Sequence, residues 1–135
     1  MVGKGVQPML AELLLFSLSV PLVYAHALTL SASFFEVYYL DAKGKLLACY
    51  RLAEGSPDQV TINMRRVVEN ALNANASLVV LSHNHPSGVA LPSKEDNQTT
   101  LQIKRALADI GVQLVDHVIV ADGDFVCLRD NGLLD

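Results

Sequence analysis

The sequence predicts a single-domain α/β protein of the α+β type, with a mixed β-sheet flanked by helices. Three patterns carry this prediction: a hairpin-like pair of apolar segments, a short continuous apolar run, and two segments with helical periodicity on either side of that run. The chain has 135 residues, of which 51% are hydrophobic, so it can bury one core of its own. We expect the folded domain at residues 34–135, after an N-terminal apolar segment at residues 1–33.

The N-terminal segment leaves three interpretations open. Lys4 precedes an apolar run at residues 13–20, and Pro21 and an A-x-A-like site at residues 25–27 follow. A basic start, an apolar run and a small-residue site are typical of a secretory signal peptide. The run is too short and too broken to span a membrane, so we expect no membrane association. The segment is an apolar helix packed on the domain, a signal, or residues translated out of frame ahead of the domain.

The first half of the domain predicts a hairpin followed by a helix. Residues 34–40 and 45–52 are aromatic and aliphatic, and the turn that joins them contains Gly44. Residues 62–72 carry an apolar stripe at helical spacing. Asn73 and Asn75 suit the exit of this helix.

The second half predicts a buried strand, a long helix and a pair of strands. Residues 77–82 form a continuous apolar run, which is typical of a strand covered on both faces. Residues 94–109 have helical periodicity, and Gly111 marks the end of the helix. Residues 112–121 and 125–128 then read as two strands joined by a turn.

Two histidines follow the buried strand directly. His83 and His85 are two positions apart, so their side chains project from the same face of an extended chain. Asp96 follows after a loop punctuated by glycine and two prolines, and it can return a carboxylate to that face. Two imidazoles, one carboxylate and space for water match the donor set of an open, catalytic Zn²⁺ site. The pattern therefore indicates a metal-dependent hydrolase.

These residues also have purely structural interpretations. A histidine at a strand end is usually a surface residue or a hydrogen-bonded one. Ser93 and Asp96 match a capping box, with Ser93 as the N-cap and Asp96 three residues later. Capping and metal binding would then compete for the Asp96 carboxylate. A cap explains neither the two histidines nor the rigid loop, which favours the metal site.

The motif resembles a known signature. The string HNHPSG at residues 83–88, followed by PS at 92–93 and by Asp96, resembles the JAMM signature of the RadC-like branch of the JAB/MPN metalloprotease superfamily. The segments at 35–41, 116–120 and 131–134 agree with the same family, so the resemblance runs from about residue 35 to the C-terminus. It implies a JAB/MPN-like fold and a zinc-dependent peptidase that cleaves amide or isopeptide bonds.

The resemblance also implies residue roles. It makes His83, His85 and Asp96 the zinc ligands, and it makes Ser93 the residue that helps to hold the oxyanion. His117, which follows Asp116, resembles the Asp-His pair of the family, and we interpret it as a structural residue outside the ligand set.

The catalytic glutamate of the family is the part of the pattern that this sequence does not match clearly. The resemblance places it on an early strand, near Ser33. Glu36 is the closest acidic residue and is therefore our candidate for the catalytic base, with Glu54 as a weaker one. The alternative, which we favour, is that Glu36 faces solvent on a half-exposed strand. Without a glutamate at the metal, the site would bind zinc without efficient turnover.

Charge and cysteine content limit the partners. A protein that binds phosphate backbones usually carries an excess of basic residues, whereas the net charge of this chain is −4. The charge therefore does not support the DNA repair role attached to the RadC name. Cys49 and Cys127 lie in apolar segments without a CxxC partner, which indicates free thiols and a reducing, cytoplasmic location. We expect a protein or peptide substrate. The alternative function is a non-catalytic metal-binding interaction module in a DNA-processing context, and the oligomeric state is left open.

Overall fold

The computed structural model of the protein describes residues 33–55, 62–132 and 134. The N-terminal segment and its three interpretations lie outside the described residues, apart from position 33. Within the described part, the chain forms strands β1 (Ser33–Leu40) and β2 (Leu46–Gly55), helix α1 (Met64–Ala74), strand β3 (Leu78–His85), helix α2 (Lys94–Asp109), strands β4 (Gln113–Ala121) and β5 (Asp124–Cys127), and a short 3-10 helix (Leu128–Asn131).

The strands form one sheet in the order β2-β1-β3-β4-β5. Strand β1 pairs antiparallel with both β2 and β3, while β3 runs parallel to β4 and β4 pairs antiparallel with β5. The sheet is therefore mixed. Together with the two helices of the described residues, it confirms the predicted fold class.

The predicted hairpin corresponds to β1 and β2. In the turn between them, an Asp41 carboxylate oxygen accepts hydrogen bonds from the backbone N–H groups of Lys43 and Lys45, each at 2.9 Å. Gly44 has a φ of 85°, which glycine adopts without the steric cost that a side chain would add. Strand β2 continues to Gly55, beyond the predicted end at residue 52.

Both predicted helices form, with one change of boundary. The Asn63 side chain accepts a hydrogen bond from the backbone N–H of Arg66 at 3.2 Å, so α1 begins at Met64 instead of residue 62. Of the two asparagines expected at its exit, Asn75, with a φ of 53°, ends the helix in the left-handed region, whereas Asn73 lies within the last turn. Helix α2 has its predicted bounds. No helix in the described ranges is long and apolar enough to cross a membrane.

Strand β3 lies at the centre of the core. Its residues from Leu78 to Asn84 are buried, as predicted for a strand covered on both faces. On one face, alternate residues of β1 and β3 pack with residues of both helices, in a cluster that includes Phe35, Val37, Leu81, Val67 and Ile103. On the other face, Tyr38, Val80 and Val118 belong to a cluster of strand residues.

The β3–α2–β4 crossover determines where the histidine motif lies. Because β3 and β4 are parallel, the connection between them must return the chain to the end of the sheet where β3 begins. The loop after β3 leads directly into the first turn of α2. The N-terminus of α2 therefore lies at the end of the sheet where β3 finishes.

Candidate metal centre

The two histidines belong to strand β3 itself. β3 extends to His85, beyond the predicted end at residue 82, because His83 still pairs with Phe35 of β1 and His85 pairs with Ala121 of β4. His83 is buried and His85 is partly buried. Their rings lie 5.0 Å apart, centroid to centroid, in an edge-to-face arrangement. The central strand therefore holds both imidazoles at its C-terminal end.

Asp96, in the first turn of α2, lies between the two histidines. Its Oδ1 is 3.0 Å from Nδ1 of His83, and its Oδ2 is 3.0 Å from Nε2 of His85. One ligand atom from each of the three residues can be chosen so that all lie within 4.8 Å of one another. The described structure thus brings together the three residues that the sequence indicated as ligands, in a group that could hold a metal ion.

The capping box is present at the same place. Ser93 Oγ accepts a hydrogen bond from the Asp96 backbone N–H at 3.0 Å, and Asp96 Oδ2 accepts one from the Ser93 backbone N–H at 2.8 Å. The carboxylate therefore caps the helix and faces both histidines at once. Ser93 is exposed, and its hydroxyl hydrogen takes no part in the cap. That hydrogen can be donated to a bound molecule.

A backbone carbonyl fixes the orientation of His85. The carbonyl oxygen of Val89 lies 3.0 Å from His85 Nδ1 and can only accept, so Nδ1 carries a hydrogen and donates it. Nε2 is left facing the carboxylate of Asp96. The hydrogen bond with Asp96 raises the pKa of His85, while burial opposes this. In the absence of a cation, a proton on Nε2 satisfies this contact; a metal ion can replace that proton.

Asp96 stays ionised at this buried position. Burial is the largest influence and by itself would raise the pKa of the carboxyl group. The hydrogen bonds from His83, His85 and the Ser93 backbone N–H together outweigh burial and hold the pKa of Asp96 far below its ordinary value. One anionic oxygen ligand beside two imidazoles is a donor set that suits a divalent transition metal.

Comparison with known proteins identifies the family. A family model described as the RadC-like JAB domain matches residues 20–133, which is most of the chain. The chain belongs to the RadC-like JAB domain family. This confirms the resemblance found in the sequence.

Curated relatives of this RadC-like domain are much longer than the chain. The UPF0758 proteins of Methylibium petroleiphilum, Nitrosococcus oceani and Stutzerimonas stutzeri are 44%, 42% and 46% identical to it over 100, 103 and 98 residues. These matches cover 74%, 74% and 73% of the chain but 45%, 46% and 44% of the relatives. The matched part of the chain therefore spans less than half the length of these relatives.

Glu36 lies away from the ligand cluster of the RadC-like domain. It is 5% exposed, so the expectation that it faces solvent is wrong. Phe35 packs against His83 with ring centroids 5.7 Å apart, and neighbouring residues of a strand face opposite sides. The Glu36 side chain is therefore on the other face of the sheet, where the thiol of Cys49 and a guanidinium nitrogen of Arg51 each lie 3.8 Å from its carboxylate.

Ser33 and Glu54 are the other two positions considered for the catalytic glutamate. β1 begins at Ser33, the position near which the family pattern places its glutamate. Glu54 lies near the end of β2, paired in register with Phe34. The structure does not describe the side chain of either Ser33 or Glu54.

Several supporting contacts in the RadC-like domain were missed by sequence reasoning. The Val89 carbonyl gives no sequence signal, because any residue supplies one. Phe35 could have been found from its strand parity, and Thr100 from its position one helical turn after Asp96. The expectation that His117 is a structural residue agrees with its full burial, which lowers its pKa to about 3 and keeps the ring neutral.

Proposed function

We propose that this chain is a zinc-dependent hydrolase of the metallopeptidase type, which cleaves amide or isopeptide bonds in a protein or peptide. One observation carries the proposal: His83, His85 and Asp96 present ligand atoms within 4.8 Å of one another, with the carboxylate ionised and one imidazole held in a ligand orientation. Membership of the RadC-like JAB domain family supports the same chemistry.

The residues around the cluster have separable roles in such a reaction. Zinc, when bound, would act as a Lewis acid and lower the pKa of a water molecule so that attack at neutral pH becomes feasible. Val89 keeps His85 Nε2 directed at the cation position. The exposed Ser93 hydroxyl can donate to the oxygen that becomes negative during attack. The N-terminus of α2, where Ser93 lies, adds a partial positive charge at the same place.

A direct assay tests the proposal. The zinc-loaded protein is incubated with peptide and lysine-isopeptide substrates, with and without a chelator, and the products are identified by mass spectrometry. We expect cleavage that a chelator abolishes and that added zinc restores. Cleavage that persists fully in the chelator would contradict a zinc hydrolase.

A second candidate is favoured by the placement of Glu36 on the opposite face of the sheet. A zinc site without a nearby carboxylate base has no group of its own to take the proton from water, which would slow turnover by a factor of about 10² or more. The chain would then be a non-catalytic metal-binding interaction module in a DNA-processing context. Zinc binding with no cleavage of any substrate would support this candidate.

Two single substitutions, Glu36→Gln and Ser33→Glu, test whether a glutamate acts as the base and so distinguish the hydrolase from the non-catalytic module. Glu36→Gln is expected to leave chelator-sensitive cleavage unchanged, because its carboxylate faces away from His83. Ser33→Glu is expected to raise the cleavage rate by about 10² or more, since it restores the family pattern and supplies a base. Rates are measured at equal zinc content. Loss of cleavage in Glu36→Gln, with zinc and melting temperature retained, would return Glu36 to the catalytic role.

The effect of zinc on stability should depend on pH in a defined direction. In the metal-free protein the pKa of His85 is raised above its ordinary value of about 6.5, so its pair with Asp96 stabilises the fold below that pH. This contribution is lost as the pH rises through the raised pKa. Zinc binds only the deprotonated nitrogen, so its stabilising effect grows over the same interval.

We therefore expect a chelator to lower the melting temperature more at about pH 8 than at about pH 6. With free zinc about a thousandfold above its Kd, the stabilisation removed is about 4 kcal/mol. Differential scanning calorimetry at both pH values measures it, with His85→Ala as the variant in which the chelator has no effect. A chelator effect that is larger at the lower pH would contradict the ligand role of His85.

Net charge and cysteine content suggest the substrate class and the location. We propose a protein or peptide substrate over nucleic acid, because the net charge is −4. We propose a cytoplasmic location, because Cys49 and Cys127 are both free thiols. Strong, salt-sensitive binding to DNA would instead support a repair factor.

A further inference from the structure

Thr100 connects the metal centre to a buried histidine behind it. It lies one turn after Asp96 in α2 and is fully buried. Its Oγ1 is 2.6 Å from the backbone carbonyl oxygen of Asp96 and 2.6 Å from Nδ1 of His117 in β4. Both contacts are short enough to be strong hydrogen bonds, so each needs a hydrogen.

Counting hydrogens assigns the direction of both bonds. The threonine hydroxyl has one hydrogen, and the Asp96 carbonyl can only accept, so Thr100 donates to that carbonyl. The second bond must then be donated by His117 Nδ1–H to the threonine oxygen. In the neutral ring this leaves Nε2 without a hydrogen. Nε2 of His117 is buried without a hydrogen-bond partner, so no second bond sets the tautomer.

The ring of His117 also stands beside a ligand. It lies 6.3 Å from the ring of His83, centroid to centroid, with an interplanar angle of 27°. Phe35 contacts both rings, at 5.7 Å from His83 and 5.4 Å from His117. His117 is not part of the group of ligand atoms within 4.8 Å, so it supports this cluster without belonging to it.

We propose that Thr100 and His117 are positioning residues for the metal centre, which hold the Asp96 backbone and the His83 ring in the geometry that binds the cation. This inference depends on the cation site of the proposed function. Asp96 must direct one carboxylate oxygen to each histidine, so a small rotation of the first turn of α2 would break one of the two contacts. Thr100 opposes that rotation by binding the Asp96 carbonyl, and His117 locks the threonine hydroxyl in the required rotamer.

Cobalt binding tests the proposal, because the affinity and the spectrum report the geometry of the site and do not change with the overall stability of the fold. Thr100→Val keeps the shape of the side chain and removes the hydroxyl, Thr100→Ser keeps the hydroxyl, and Ile103→Val removes a buried methylene from the same helix. Co²⁺ affinity is measured by competition with a chelator, and coordination by the visible absorption spectrum. We expect Thr100→Val to lose about 10- to 100-fold in affinity and to change the spectrum.

The two controls separate positioning from stability. Thr100→Ser should retain the wild-type spectrum and affinity, while Ile103→Val should lower the melting temperature without changing either. Folded Thr100→Val that binds Co²⁺ with wild-type affinity and spectrum would overturn the proposal. If Thr100→Val does not fold, His117→Asn takes its place in the experiment. Asparagine keeps a donor for Thr100 and removes the ring that contacts His83. Wild-type cobalt binding by that variant would overturn the proposal equally.

Imidazole nitrogen spectra of the metal-free protein keep this test independent of the proposed function. Long-range proton–nitrogen NMR should show His117 as the neutral Nδ1–H tautomer, and Thr100→Val or His117→Asn should shift the ring nitrogens of His83. The Nε2–H tautomer in the wild type, or unchanged His83 signals in both variants, would overturn the inference. Failure of the wild-type protein to bind Co²⁺ or Zn²⁺ would instead overturn the proposed function, whatever the tautomer.

Discussion

His85→Ala is expected to abolish zinc binding, from about one zinc per chain to none. The substitution removes the Nε2 that faces Asp96 Oδ2 at 3.0 Å, and with it one of the three proposed ligands. A site left with one imidazole and one carboxylate lacks the three protein ligands of a catalytic zinc site, so metal should be lost on dialysis. Zinc content is measured by inductively coupled plasma mass spectrometry on the purified protein.

The control for this variant lies one position from another ligand. Glu95 is an exposed carboxylate in the first turn of α2, next to Asp96, and it is outside the ligand cluster. Glu95→Gln should therefore retain full zinc content and wild-type affinity. Full stoichiometry in folded His85→Ala would refute the ligand assignment, and so would equal zinc loss in both variants.

Ser93→Ala is expected to slow cleavage by about 10²-fold while zinc stays bound. The hydroxyl hydrogen of Ser93 is not used in the capping box, so it can stabilise the developing negative oxygen. The same substitution removes the bond from the Asp96 N–H to Ser93 Oγ, which should lower the free energy of unfolding by about 1 kcal/mol. The measurements are kcat at saturating zinc, zinc content, and denaturant unfolding.

Ser93→Thr is the matched variant, because threonine keeps both a capping oxygen and a donor hydrogen. It should retain most of the activity and the stability. A Ser93→Ala protein that loses the stability increment but cleaves at the wild-type rate would assign Ser93 to the cap alone.

Local patterns in the sequence predicted the parts of the site that depend on local geometry. The i, i+2 spacing of His83 and His85 places them on one face because strand side chains alternate. The Ser93-x-x-Asp96 spacing predicted the start of α2 because a capping box involves only the first turn. The bounds of α2, the hairpin and the buried central strand were predicted from local patterns in the same way.

Contacts between distant segments could not be predicted from spacing. Glu36 reads as a polar residue in a strand, and its burial depends on which strands flank β1 and on the approach of Arg51 and Cys49 from β2. The bond between Thr100 and His117 joins a helix to a strand 17 residues later. The Asn84 side chain accepts a bond from the Phe34 N–H of β1 at 2.7 Å, across 50 residues of chain, and the spacing of the histidine motif gives no sign of it.

The shared carboxylate of Asp96 ties two properties together. Because the same oxygen caps α2 and faces His85, folding the helix also places the carboxylate of the candidate metal site beside its histidine. If the proposed cation binds, little conformational entropy of these side chains remains to be lost. A substitution that removes the carboxylate at position 96 would therefore alter the candidate metal site and weaken the start of α2 together.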